Sequence, residues 1–439
     1  MLRKITIENF RCFGTKQSIP IRNLNLMFGD EGKSSVMLAL AWLRSILCTD
    51  QTSCELIDQL GGFEDCLFKG AREPVIRFGI ELEPVGDEFF DLQLGGGTTF
   101  SWGEQTLNLD LDIRCTDERE PYIALLQISA SGVQVLTVET SITESDRMES
   151  VCTCYFASLL ERFSLDLPSE LDIGSKSVSF RVGYLNGSSV DGSLPSAFKI
   201  DLLHSDVDDC DELESTQQAV DRELNIFYQF AIGIPQRYLA HLVEHWTTDA
   251  LEIALNELVQ NTSLLHSINS RLPLFRVADQ LTVADGRLLV IDSGGRPRSF
   301  ECTSTSFRKL VSKLQKAQSC RVLIETFDGD LNPYRQSELA DVLAARLCDL
   351  ATDQPMILVE IHNPYVIQRV IQRMVETVEL NGSNHLPIWS SAVSFIYFES
   401  KQSGVCVREL QVDTNEGIFR GGWPNSYFDE RIGVFYQAF

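Results

Sequence analysis

Gly29, Gly32, Lys33 and Ser34 are the residues near the start of the chain whose types and spacing could do chemistry. The apolar alternation Leu24-Asn25-Leu26-Met27-Phe28 ends at Gly29. Gly32-Lys33-Ser34-Ser35 then opens a helical pattern through Val36, Leu40, Leu43 and Leu47. Strand, glycine-rich loop and helix in that order form a phosphate cradle. Backbone N–H groups and the helix N-terminus surround the phosphates, the Lys reaches the outer ones and the Ser hydroxyl binds Mg²⁺. The usual cradle has four residues between its first Gly and Gly-Lys-Ser/Thr. Here only Asp30 and Glu31 fill that gap, and both are acids. Two readings follow: a shortened loop that still holds a nucleotide, or a tight strand-to-helix turn with Gly32 near the N-cap.

The elements that must position this loop lie at both ends of the chain. Leu2 to Phe10 and Gln17 to Ile21 read as strands, as does Val75 to Leu82. From Phe89 to about Thr143, short alternating segments such as Leu107 to Leu111 predict an antiparallel subdomain. The block from 145 to 278 is the least legible; within it, Leu213 to Thr262 carries helix-like spacing at Phe227, Phe230, Leu239, Leu242, Leu251 and Leu255. Strands return at Gln280 to Ile291. Thr305 to Lys316 then reads as a helix, Arg321 to Glu325 as a buried strand, Gln336 to Leu350 as a helix and Met356 to Ile361 as another buried strand. Apolar strands alternating with helices predict a parallel sheet. The expected organisation is an N-terminal lobe over 1–144, a largely helical insertion over 145–278 and a C-terminal lobe over 279–439. Both ends would build one sheet.

Composition narrows the function classes. The 439 residues contain 37 Lys and Arg against 62 Asp and Glu, a formal charge of -25. That balance repels a nucleic-acid backbone except where basic residues cluster. Arg308, Lys309, Lys313 and Lys316 form such a cluster, which reads as a solvated helix face or as a local contact to nucleic acid or an acidic partner. The twelve Cys lack CxxC pairs. Cys152 and Cys154 are the close pair, and reduced structural cysteines are expected. No apolar run reaches the roughly 18 residues of a membrane span, so the expectation is a cytoplasmic chain without a membrane partner.

With these segments in place the sequence resembles the RecF/SMC-like branch of ABC-type ATPases, which includes predicted ATPases of bacterial defence systems and the ATPase half of OLD-family nucleases. Ile7-Glu8-Asn9-Phe10-Arg11-Cys12-Phe13 resembles the family's Asn-Phe-Arg-x-Phe opening. Gly62-Phe63-Glu64-Asp65 with Lys69-Gly70 resembles the segment near its Q-loop. Val322-Leu323-Ile324-Glu325-Thr326-Phe327-Asp328, then Leu331-Asn332-Pro333, resembles its Walker B strand. Ile357 to His362 resembles the strand that delivers the switch His, and Gly422-Trp423-Pro424 with Tyr427-Phe428-Asp429 the tail of one subgroup.

The resemblance implies an α/β, ABC-type P-loop ATPase fold with a mixed or parallel sheet, an antiparallel β subdomain and an inserted, mainly helical region. It implies ATP and Mg²⁺ as ligands. Gly29, Gly32, Lys33, Ser34 and Ser35 would bind nucleotide, Ser34 and Glu325 would hold the metal, and Ser304 would stand at the signature position. Glu325 and His362 would be the catalytic groups, with Arg11 near the phosphates. Thr326 occupies the place of the family's general-base Glu. A hydroxyl there forfeits about 10²–10⁴-fold of proton-transfer help. The signature region Phe300-Glu301-Cys302-Thr303-Ser304 also has no Gly for close backbone approach. The expectation is therefore a pseudo-ATPase, a degenerate family member acting as a scaffold or regulatory subunit in bacterial DNA surveillance or antiphage defence. By the same resemblance it would form a homodimer, or a hetero-oligomer with an active ATPase or a nuclease, touching nucleic acid only through that complex. The alternative is an active ATPase that dimerises on ATP and controls a partner nuclease.

Overall fold

The computed structural model describes residues 2–47, 61–83, 91–94, 98–101, 106–116, 121–142, 148–154, 178–183, 199–202, 258–275, 279–292, 294–303, 307–308, 310–312, 314–315, 322–326, 333–349, 356–362, 364–383 and 386–424. Two compact units divide the chain. The first holds Met1–Pro20, Ser35–Ala240 and Lys401–Cys406, the second Ile21–Ser34, His241–Ser400 and Val407–Phe439.

Strands β1 (Leu2–Glu8) and β2 (Gln17–Pro20) open the chain, followed by β3 (Leu24–Gly29), helix α1 (Lys33–Leu47) and the short helix α2 (Phe63–Cys66). In the first unit, β1 lies antiparallel between β2 and β4 (Ile76–Leu82). The sheet continues outward from β4. The hairpin of β5 (Asp91–Leu94) and β6 (Thr98–Ser101) is separate, while β7 (Leu107–Cys115), β8 (Pro121–Ala130), β9 (Val133–Ile142), β10 (Met148–Cys154), β11 (Val178–Gly183) and β12 (Lys199–Leu202) each pair antiparallel with the preceding strand of the sheet. Strict alternation in β7 drives this pattern. Leu107, Leu109, Leu111 and Ile113 are buried while Asp110 and Arg114 face solvent.

The antiparallel sheet does not end at residue 144. Within the region expected to be largely helical, residues 148–202 supply three strands, whereas α3 (Thr262–Arg271) and residues 258–260 are helical. The reason lies in pairing: β9 leaves an open edge, and Val151 and Thr153 in β10 suit a pleated partner. Phe227, Phe230, Leu239, Leu242, Leu251 and Leu255 lie outside the described residues.

Asn9-Phe10-Arg11 is a knot in the first unit. Asn9 and Arg11 both take left-handed backbone, at φ 56° and 50°. Asn9 Nδ2 donates to the Val75 carbonyl at 3.0 Å, and Arg11 N–H donates to the Cys66 carbonyl at 2.7 Å. Phe10 is fully buried against Trp42 of α1 and Phe78 of β4.

In the second unit come β13 (Gln280–Ala284), β14 (Arg287–Ile291) and β15 (Pro297–Ser299), a small antiparallel sheet. They precede β16 (Val322–Thr326), α4 (Pro333–Asp349), β17 (Met356–Glu360), α5 (Pro364–Glu379), β18 (Val393–Lys401) and β19 (Gly404–Leu410), of which residues 401 and 404–406 are counted with the first unit. The main sheet has the order β16-β17-β3-β18-β19, with β3 parallel to both of its neighbours. This mixed α/β arrangement, together with the antiparallel sheet of the first unit, agrees with the expected fold class. The N-terminal loop strand and the C-terminal strands share one sheet.

β3 is buried at every position, as a strand covered on both faces must be. Its polar exception is explained. The Asn25 side chain is fully buried, donates to the carbonyls of Arg22 and Ile357 at 2.7 and 3.1 Å, and accepts from Arg22 N–H at 2.7 Å. Both α4 and α5 begin with Pro, whose missing N–H costs nothing at the first helical position. In α5, Val366, Ile367, Val370, Ile371 and Met374 are buried at helical spacing. At the far end, the tail motif is packing: Trp423 meets Phe419 edge-on at 4.7 Å, and Phe419 in turn contacts Phe28 and Phe395.

Candidate functional site

Gly29 ends β3 with φ +110°, and a Cβ there would lie 2.2 Å from the Phe398 carbonyl oxygen. The site needs a glycine for both reasons. Asp30 then straps the loop to β18. Its N–H donates to the Phe398 carbonyl at 2.8 Å, and its Oδ2 accepts the Ser400 N–H at 3.0 Å. An acid that reads in sequence as hostile to a polyanion is thus engaged in holding backbone together. Glu31 is exposed, and Gly32 turns the chain at φ +109° into α1.

Lys33 is 5% exposed. Its Nζ donates to the Gly29 carbonyl at 2.8 Å and also to the Asp30 carbonyl. The ammonium therefore folds back onto the loop that carries it. Ser34, an exposed residue, donates its hydroxyl to the Glu360 carboxylate, 3.0 Å from Oε2 and 3.2 Å from Oε1. Ser35 belongs to the first unit, where it is buried and its Oγ accepts from Cys12 Sγ at 3.6 Å.

Glu360 closes β17 and was not among the residues the sequence singled out. Its side chain is 7% exposed, and Oε1 lies 3.3 Å from Nε2 of His362, whose side chain is 49% exposed. The signal that could have found it is an acid ending the apolar run Met356-Ile357-Leu358-Val359, two residues before the expected switch His. Lys33, Ser34, Glu360 and His362 are thereby linked through one loop and one strand end.

In the parallel register, Glu325 pairs with Val359 and Val359 with Leu26. Thr326 pairs with Glu360 and Glu360 with Met27. The residue in general-base position thus shares a row with the acid that ends β17. Ser304, Asp328, Lys309, Lys313, Lys316 and the Tyr427-Phe428-Asp429 stretch lie outside the described residues. Phe300 to Cys302 form a short 3₁₀ turn with Phe300 buried against Phe307.

The donor chemistry fits the implied ligands in part. A hydroxyl and a carboxylate are hard oxygen donors suited to Mg²⁺. Among the described residues no group of three or more His, Cys, Asp or Glu gathers that could hold a metal alone. Among the same residues, no helix is long and apolar enough to cross a membrane.

No family profile and no curated protein matches the chain. Solved structures do resemble it. The SMC head domain from Thermotoga maritima aligns at TM-score 0.40 and 10% identity over 94% of this chain and 99% of that one. An SmcHead bound to the C-winged helix domain of ScpA aligns at 0.46 and 8%, over 94% and 98%. An Smc head domain with an extended coiled coil, bound to the C-terminal domain of ScpA derived from Pyrococcus furiosus, aligns at 0.43 and 9%, over 100% and 99%. These similarities assign no residue a role.

Proposed function

We propose that the chain is a degenerate RecF/SMC-like ABC-type ATPase that acts as a scaffold or regulatory subunit, with impaired or absent ATP hydrolysis. The observation that carries this reading is the state of the loop. The Lys33 ammonium serves the carbonyls of Gly29 and Asp30, and the Ser34 hydroxyl serves Glu360. Groups that would meet phosphate and metal are already satisfied by the protein, so a nucleotide must displace these bonds to be held. Thr326 in the general-base position adds a second handicap, because its hydroxyl is a poor proton acceptor near neutral pH.

ATP and Mg²⁺ remain the proposed ligands, held by Gly29, Gly32, Lys33 and Ser34, with Glu325 and His362 as the family's acid and switch His. The resemblance of the motifs supports a place in a bacterial DNA-surveillance or antiphage complex, beside an active ATPase, a nuclease or a second copy of the chain. The test is ATP turnover by the purified full chain with Mg²⁺. No turnover is expected, with assembly state unaltered by Lys33→Ala. A robust Mg²⁺-dependent rate that Lys33→Ala abolishes would overturn the reading.

A second reading, an active ATPase that dimerises on ATP, is favoured by Glu360. This buried acid beside Ser34 offers a carboxylate where Thr326 does not. Light scattering with and without Mg²⁺-ATP separates the two, since only this second reading demands nucleotide-dependent dimers.

A further inference from the structure

We propose that Glu360 is a specificity-determining residue of the loop, one that admits a nucleotide only together with a divalent cation and shares that cation with Ser34. This rests on the reading of the loop as a nucleotide site and concerns what the site accepts, whether or not hydrolysis follows.

The argument begins with burial. Glu360 is 5% exposed, and its carboxylate is pinned between the Ser34 hydroxyl and His362. Moving away from an approaching anion would cost it both contacts. Ser34 sits in the first turn of α1, the helix end that attracts anions. A phosphate oxygen drawn to Ser34 therefore arrives beside a fixed negative group in a partly desolvated place, where like charges repel strongly.

A divalent cation converts that repulsion into shared coordination. Ser34 Oγ, Glu360 Oε2 and phosphate oxygens together make the hard, all-oxygen set that Mg²⁺ or Mn²⁺ prefers. Ser34 and Glu360 offer two ligands where Mg²⁺ takes six, so phosphate oxygens and waters must complete the set. Cation and nucleotide should therefore bind as a pair, each completing what the other lacks. Metal-free nucleotide should be refused.

The test is a titration of the full chain with a fluorescent ATP analogue, in Mg²⁺ and in EDTA, alongside Mn²⁺ uptake followed by EPR with and without the analogue. The wild type should bind at least about tenfold more tightly with metal. Mn²⁺ should be taken up appreciably only when the analogue is present. Glu360→Gln removes the charge and keeps the shape. It should bind the metal-free analogue at least about tenfold more tightly than wild type and lose most of the metal dependence. Ser34→Ala should reduce the enhancement by metal and leave metal-free binding weak, which keeps the idea testable should Glu360→Gln fail to fold. The proposal is overturned if Glu360→Gln retains the wild-type ratio, if the wild type binds metal-free analogue equally well, or if it takes up neither analogue nor Mn²⁺. Turnover measured on the same samples speaks only to the scaffold reading, so the two can fail separately.

Discussion

The Asp30 carboxylate accepts the backbone N–H of Ser400 at 3.0 Å, across 370 residues of sequence. With the neighbouring bond from Asp30 N–H to Phe398, it holds the start of the loop to the end of β18. Asp30→Ala should therefore destabilise the chain by about 0.5–1 kcal/mol, the net worth of a hydrogen bond whose exposed amide can turn to water instead. Asp30→Asn, which retains an acceptor, should cost less. Urea denaturation of both variants measures the difference.

Gly29→Ala tests the crowding at the same junction. A methyl group would stand 2.2 Å from the Phe398 oxygen in a backbone conformation, φ +110°, that L residues avoid. A loss of about 2 kcal/mol is expected. Hydrogen exchange should show it as weakened protection at the ends of β3 and β18.

Asn25 offers a third measurement. Asn25→Leu has similar bulk but leaves the buried Ile357 carbonyl, and the part-buried N–H and carbonyl of Arg22, without their present partner. The expected cost is about 2 kcal/mol, read as a fall in the denaturation midpoint.

The pair α4 and α5 carries a pH-dependent clamp. Asp341 accepts from Arg373 at 2.7 Å and Arg369 at 2.8 Å, with its side chain 7% exposed. Burial alone would push its carboxyl up, but the hydrogen bonds and charges of Arg373 and Arg369 prevail and hold it below the usual range. The native pKa thus lies below the unfolded value of about 3.9. The stabilisation is present above that value and is lost as pH falls through the native one. Asp341→Asn should cost about 3 kcal/mol at neutral pH, since two arginines lose their shared counter-charge. It should also flatten the acid limb of the stability curve.

Much of this was legible in the sequence. The strand, loop and α1 could be read because an apolar run, two glycines and a helical apolar period are adjacent along the chain. β16 and β17 followed from short apolar runs of strand length. The roles of Asp30 and Glu360 could not be read in the same way. Asp30 acts on Ser400, and Glu360 meets Ser34 because β17 pairs with β3, relationships that exist only after distant segments join. The same holds for the strands at 148–202, whose local pattern is weak and whose identity comes from the open edge of β9. Helix α5 had clear periodicity and strand β18 a short apolar run, but neither had a motif to draw attention to it.

The sheet order carries a consequence for biosynthesis. β3 emerges from the ribosome early, yet its two flanking partners are β17 and β18, and Asn25 waits for Ile357, 332 residues later. A six-residue segment that ends up wholly buried must therefore remain unpaired through most of translation, sheltered by transient contacts or by a chaperone. Nascent chains arrested before residue 356 should expose Leu24–Gly29 to proteases and to hydrophobic dyes, and release of the full chain should abolish both.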